Sequence, residues 1–314
     1  MILDRDIIKK IVKGVSHPRR VLNVLLRTIG KNLSDDTFLK IQYRLLLGEK
    51  LNIKNPVLFN EKLQWLKLYN RHKIYTDMVD KYAVRKYVEK TIGEQYLTPV
   101  LGIWDKFEDI DFSLLPKQFV LKCTHDSGSV VICKDIDNFN IKKANKKLKK
   151  CLKRNYYTLC REWVYKDIPP KIIAEKYLVD ESEVELKDYK IFCFNGVPKL
   201  VQVDYNRFSK HKRNIYTTQW EYIPVSFIYP QHPEIQIDKP ENLDLLLELS
   251  QKLSANIPFV RVDFYITETS IFFGEMTFYP EAGYGKITPL KYNLELGKSI
   301  NLPLKGQKER IKSL

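Results

Sequence analysis

The chain has 314 residues, 44% of them apolar, and a net charge of +15. It can therefore bury a large core, in two or three lobes, and its positive charge asks for an anionic partner: nucleic acid, anionic lipid or a polyanionic small substrate. No apolar run reaches transmembrane length, the charged Ile/Lys-rich N-terminus lacks a secretory pattern, no recognisable nucleic-acid module occurs, and Cys123, Cys133, Cys151, Cys160 and Cys193 show no C-x-x-C spacing. These features argue against a membrane span, nucleic-acid binding, zinc and a disulfide framework, and favour a reducing cytoplasm.

Residues 1–50 form a basic amphipathic arm, with Lys9, Lys10, Lys13, Arg19, Arg20 and Arg27 among aliphatic residues and a break at His17-Pro18. It reads either as a membrane-surface helix or as a helix packed on the body with its lysines in water, and the second reading is slightly favoured. A helix is expected from Phe59, with Leu63 and Leu66 at helical spacing, and a second near Thr76 to Glu89. On that second helix Lys81 and Arg85 share a face, which would ordinarily be solvated.

Phe119–Cys123 reads as a strand, followed by the turn Thr124–Ser129 and a second strand, Val130–Cys133. A lysine before a small, hydroxylated, Gly-containing turn can hold phosphate through backbone N–H groups, although many such turns only join strands. A lysine-rich helix at 141–154 presents a solvated face. Strands follow at Lys171–Leu178 and Asp188–Phe194, the latter turning at Asn195-Gly196 into a partner at Lys199–Asp204. Asp188 and Lys190 share one face. Arg207, Lys210, Lys212 and Arg213 read as a basic loop, and 241–256 as an amphipathic helix.

The richest stretch is Phe259–Gly285, two strands joined by the turn Thr267–Ser270. Period-2 alternation puts Arg261 and Asp263 on one face and Val260, Val262 and Phe264 on the other; Glu275 and Thr277 share a face of the second strand. Folding the hairpin brings Asp263 and Glu275 nearly opposite, within one residue of register. Two acids this close repel unless a cation sits between them, and oxygen-only ligands suit magnesium. A structural ion pair of Arg261 with either acid is the plainer reading. The loop after Glu275, Thr277–Gly285, has glycines that permit close backbone approach to a ligand.

The stretches FNEKLQWLKLYN (59–70), DKYAVRKYV (80–88), LPKQFVLKCTHDSG (115–128), DYKIFCFNGVPK (188–199), FVRVDFY and FGEMTFYPEAG recur in one order. This resembles the ATP-grasp superfamily, and more closely the TupA-like ATP-grasp family of bacterial cell-surface polysaccharide biosynthesis, over about residues 56–303. The resemblance implies an α+β fold in which two lobes, about 116–178 and 179–304, clasp ATP. A helical arm (1–55) and a helical region (56–115) would precede them, and a basic tail (305–314) would follow. It implies that Lys81 and Lys122 contact the ATP phosphates and that Ser127, Gly128 and Ser129 form a mobile covering loop. Glu175, Lys176, Tyr177 and Leu178 would be the hinge that meets adenine. Asp188 would hold the ribose, with Lys190 beside it in the nucleotide site. Asp263, Glu275 and Thr277 would bind Mg²⁺, and Arg261 and Lys122 would act on the transferring phosphoryl group. The superfamily usually has Asn where Thr277 stands; a hydroxyl is a poorer magnesium ligand, which leaves the number of metal ions open.

The implied activity is ATP-dependent joining of a carboxylate to an amine through an acyl phosphate. Its partner would be an anionic small or lipid-linked saccharide, and its location the cytoplasm, with the arm a candidate contact to the membrane surface. Members of this family are often labelled glycosyltransferases, so that is the alternative. The three Asp-x-Asp pairs, Asp4/Asp6, Asp109/Asp111 and Asp135/Asp137, follow no Rossmann-like strand series and carry little weight. A third reading, a non-catalytic basic protein at the membrane periphery, would use the arm and residues 142–154.

Overall fold

Alternating burial in the strands and apolar stripes on the helices sort the chain into two antiparallel sheets with helices packed on them. The computed structural model describes residues 18–179, 186–205, 212–229, 233–235 and 237–304. The expectations for residues 1–17, for Arg207 and Lys210 and for the tail 305–314 lie outside the described residues. Among those described, no helix is long and apolar enough to cross a membrane.

The first sheet contains β1 (Val100–Trp104), β2 (Phe119–Cys123), β3 (Val131–Cys133) and β4 (Ile172–Lys176) in the order β1-β4-β2-β3. Its edge strand β1 comes from before residue 116, so this sheet begins earlier in the chain than the sequence suggested. Phe119, Leu121 and Cys123 alternate inward and meet Ala144 and Leu148 of the helix Ile141–Leu152. That helix is lysine-rich because only Ala144 and Leu148 are buried; its lysines stay in water, as expected.

The second sheet contains β5 (Asp188–Phe194), β6 (Val197–Tyr205), β7 (Lys212–Thr217), β9 (Phe259–Ile266) and β10 (Ile271–Thr277), ordered β10-β9-β5-β6-β7. A two-stranded ribbon of β8 (Ser226–Phe227) and β11 (Ile287–Thr288) stands apart. Cys193, Val260, Val262 and Phe264 bury one face, with the helix Leu243–Leu253 against β5, β6 and β9. Lys212 and Arg213 belong to β7, which corrects the basic-loop reading: Arg213 is 5% exposed and paired across the sheet.

The helix Phe59–Tyr69 forms as expected and lays Phe59 on Phe259 and Phe194. Its other buried face is polar. Asn60 donates to the carbonyls of Gly283 and Gly285, and Gln64 to those of Ala282 and Gly283. Lys67 donates to the carbonyl of Ala282 at 2.7 Å. This stripe fixes the loop 280–285, where Glu281 and Ala282 hold left-handed backbone angles without being glycine. The second expected helix is broken into Ile74–Val79 and Val84–Thr91, because Asp80 Oδ1 accepts from the backbone N–H groups of Tyr82 and Ala83. Lys81 thus sits in the break, and not on a helix face.

Leu148 is fully buried between helix and sheet. Leu148→Ala is expected to lower the urea unfolding free energy of the full chain by about 2–5 kcal/mol, whereas Lys146→Ala on the wet side of the helix should change it by about 0.5 kcal/mol or less.

Candidate functional site

A ladder of charged side chains crosses the second sheet on the face away from the helix Leu243–Leu253. Strand register dictates it: Glu275 pairs with Asp263, Asp263 with Lys190, and Lys190 with Gln202. One step along, Asp188 pairs with Asp204 and Asp204 with Arg213. A register shift between Phe273 and Glu275 sets the two acids opposite each other, within the one-residue uncertainty expected from the sequence.

These groups satisfy one another. Arg261 Nε and Nη2 donate to the two oxygens of Asp263 at 2.7 and 2.6 Å, and Nη2 also reaches Glu275 and Thr277 Oγ1 at 3.2 and 3.0 Å. Lys190 Nζ donates to Asp263 at 2.7 Å and also to Asp188. Arg213 makes a two-point pair with Asp204 and reaches Glu281 at 3.3 Å. The face is far drier than a half-exposed hairpin. Burial pushes the Asp263 carboxyl up, to about 6, against the pull of Arg261 and Lys190. Burial also works to raise Glu275, but Arg261, Lys190, Lys81 and the Thr277 hydroxyl overcome it and hold that carboxyl down to about 2.

The first sheet supplies the opposite wall of a cavity of about 680 Å³, a size typical of small-molecule sites. Lys122 leaves β2 on the cavity side and pairs with Glu175 at 2.6 Å. Lys81 donates to the carbonyl of Asp126, and its own backbone N–H bonds Thr124, so it braces the turn Thr124–Ser129. Burial pulls its ammonium below the usual lysine range. Asp126 is further held by Arg154 at 2.7 Å. Gly128 has φ +88, and a side chain there would meet nothing within 4 Å; the backbone angle, not crowding, selects glycine.

The structure brings Lys81, Lys122, Ser127, Gly128, Glu175, Asp188, Lys190, Arg261, Asp263, Glu275 and Thr277 onto this one cavity. Three expected groups do not line it: Lys176 is exposed at the end of β4, and Tyr177 and Leu178 lie half-buried beyond it. Ser129 is also off the wall. Its buried hydroxyl accepts from Cys123 N–H and donates to Asp126, so only Ser127 and Gly128 of that turn face the cavity. Arg85, read as solvated, lines the cavity and donates to the carbonyl of Thr98. Sequence reasoning missed Asp204, Arg213 and Glu162; the alternation Gln202/Asp204 was a usable signal for the first, while Glu162 lies in a segment without periodicity. Asp109, Asp111, Asp135 and Asp137 lie away from the cavity.

Among the described residues no group of three or more His, Cys, Asp or Glu side chains could hold a metal unaided. Magnesium, however, is commonly held by one or two carboxylates with phosphate oxygens completing its octahedron. Glu275, its side chain 41% exposed against 1% for Asp263, is the accessible carboxylate, with Asp263 and Thr277 behind it. Lys81, Lys122 and Arg85 face it from the other wall. The residues fit such a pair of ligands.

The family model described as TupA-like ATPgrasp matches residues 61–301. Among curated proteins none matches the sequence. Solved structures that resemble it include D-alanine–D-alanine ligase from Bacillus anthracis, at 17% identity and TM-score 0.35, covering 64% of this chain and 56% of that one. The Helicobacter pylori D-alanine–D-alanine ligase shows 14% identity and TM-score 0.38 over 77% and 69%. A RimK domain ATP-grasp protein from Sphaerobacter thermophilus shows 11% and 0.40 over 73% and 68%. The chain thus spans little more than half the length of the Bacillus anthracis enzyme.

Two expectations concern the ladder. Lys190→Ala leaves Asp188 and Asp263 buried without their shared cation, and urea unfolding should show a loss of about 3–5 kcal/mol. Glu275, held below its ordinary 4.5, contributes stability that is fully present above that pH and is lost as pH falls toward about 2. Urea midpoints of Glu275→Gln should therefore fall less steeply than those of the parent chain across that window.

Proposed function

Because the chain belongs to the TupA-like ATP-grasp family, we propose that it is an ATP- and magnesium-dependent ligase that joins a carboxylate to an amine. The observation that carries this reading is the convergence on one cavity of Lys81 from the break between two helices, of Lys122 and the Ser127-Gly128 backbone from one sheet, and of Arg261, Asp263, Glu275 and Thr277 from the other.

In this reading Glu275, with Asp263 behind it, would hold magnesium, and Lys81 and Lys122 would hold the phosphate tail. Magnesium would neutralise charge on the non-bridging phosphate oxygens. Lys122 leaves Glu175 for the incoming phosphate, a partner of higher charge. Arg261 is anchored by Asp263, and its Nη2, which also reaches Glu275 and Thr277 on the cavity wall, would be a donor fixed in advance beside the developing negative charge. The substrate carboxylate would be phosphorylated to an acyl phosphate, and the amine would displace phosphate to leave an amide. Exclusion of water between the two walls would protect this mixed anhydride from hydrolysis. The net charge of +15 suits an anionic substrate. We place the reaction in bacterial cell-surface polysaccharide assembly, with a uronic acid or amino acid as carboxylate donor and with the protein in the cytoplasm.

Mg-ATP should raise the thermal unfolding temperature of the full chain and a panel of UDP-sugars should not; the reverse pattern would make it a glycosyltransferase. Glu275→Gln should keep the fold and lower ATP turnover by about 10²-fold or more, and unchanged turnover would exclude Glu275 as a metal ligand.

A further inference from the structure

We propose that Glu162, with Glu281 beside the same end of the cavity, receives the ammonium group of the amine co-substrate. The inference rests on the ligase reading for the word co-substrate, but the site itself stands on separate residues.

Glu162 is 5% exposed and yet forms part of the cavity wall. It precedes the helical turn Trp163–Tyr165 in the capping position, where a carboxylate would ordinarily accept a backbone N–H; here the side chain makes no cap bond. Among the described residues no hydrogen bond reaches its carboxylate. Its oxygens are not among the fully enclosed side-chain atoms without a partner, so they open onto the cavity, where a bound donor can reach them.

Its direction is fixed from both sides. Arg161, in a left-handed backbone conformation at φ 55, is buried and donates to the carbonyls of Gly30, Lys31 and Leu33. Trp163 donates its indole N–H to the Tyr279 hydroxyl at 2.9 Å. Between these two anchors the Glu162 carboxylate is held on the wall, near the hydroxyl-bearing rings of Tyr156 and Tyr165.

The charges around it leave room for a cation. Lys67 and Arg27 are the cations that act on Glu162, and Arg27 lines the same cavity, but Lys67 Nζ is already bonded to the carbonyls of Cys160 and Ala282 and lies over the Tyr284 ring, and Arg27 Nη2 donates to Cys160 Sγ. The acids Glu275 and Glu281 act on it in the opposite sense. Glu281, on the strained loop clamped by Asn60, Gln64 and Lys67, is exposed and, among the described residues, pairs with Arg213 at 3.3 Å. An ammonium between Glu162 and Glu281 relieves this repulsion and gives the buried carboxylate its missing donors.

The same residue can then free the nucleophile. Burial pushes the Glu162 carboxyl up to about 7, so it accepts a proton readily near neutral pH. One N–H bond of the ammonium breaks, an O–H bond forms on Glu162, and nitrogen keeps the electron pair. That pair attacks the acyl carbon of the acyl phosphate; the C–O bond to phosphate breaks, and the leaving phosphate takes the second N–H proton. The products are an amide and hydrogen phosphate.

The test is thermal unfolding of the full chain with L-amino acids, ethanolamine and glucosamine as probes, each beside its N-acetyl derivative, and separately with Mg-ATP. At least one free amine should raise the unfolding temperature while its N-acetyl form does not. Glu162→Gln should weaken that amine's apparent affinity about tenfold or more and keep the Mg-ATP shift, which also reports an intact fold; Glu281→Gln should weaken it less. Failure of every amine to stabilise the parent chain, or unchanged affinity in Glu162→Gln, overturns the proposal and leaves the ligase reading in place. If amines act as expected and Mg-ATP does not stabilise, the ammonium site stands and the ligase reading falls.

Discussion

The structure depends on one buried electrostatic array: Lys190 between Asp188 and Asp263, and Arg261 bridging Asp263 to Glu275 and Thr277. No member is tolerable alone at this depth. Asp263 and Glu275 each meet a cation of the neighbouring strand, Lys190 and Arg261, and Asp188 meets Lys190 of its own strand, so each cation offsets its desolvation with an acid beside it. The pairing of β10, β9, β5 and β6 is thus specified by charge as well as by the apolar face behind it. A slip of one residue would turn Asp263 and Lys190 toward the Leu243–Leu253 helix. Glu275 differs from the rest. It closes the array at the sheet edge and is the carboxylate that water, or a metal with its phosphates, can reach.

The second constraint is that the opposing wall is built by an independent core. Phe119, Leu121, Ile172 and Ala174 pack on the lysine-rich helix and share no cluster with the larger core that supports the ladder. Lys122 and the Ser127-Gly128 turn are therefore carried by one packed unit, and the acids by another. That arrangement suits a site formed by two bodies facing each other across a cavity. The helix Phe59–Tyr69 adds the third side. Its buried Asn60, Gln64 and Lys67 hold the strained loop that places Glu281, which ties one of the sequence stretches of the family to the geometry of the site.

Much of this was legible in the sequence where a short-range rule fixes the outcome. The period of two in a strand is insensitive to tertiary context, so Arg261/Asp263 and Glu275/Thr277 could be placed on shared faces; the Asp263–Glu275 opposition could be placed only to within one residue, because the irregularity between Phe273 and Glu275 decides it. What could not be read were choices made by distant partners. Arg213 looked like a loop cation because neighbouring basic residues suggest solvent, until Asp204 across the strand buries it. Lys81 looked helical because apolar spacing runs unbroken from Thr76 to Glu89, but the Asp80 side chain competes for the backbone and breaks the helix. Ser129 was placed with its loop neighbours, whereas a hydrogen bond to buried Asp126 draws it inward. Glu162 had no local signal at all; only the anchoring of Arg161 and Trp163 by remote groups makes it conspicuous.

The central claim is that the two walls grip a magnesium-bound triphosphate between Lys122 and Glu275. Calorimetric titration of ATP into the full chain, with and without Mg²⁺ and repeated in Lys122→Met, tests it directly. The account predicts saturable binding that strengthens with Mg²⁺ and weakens about tenfold or more in Lys122→Met, which loses a charge-assisted contact to phosphate. Absence of ATP binding, or binding indifferent to both the metal and Lys122, would contradict it.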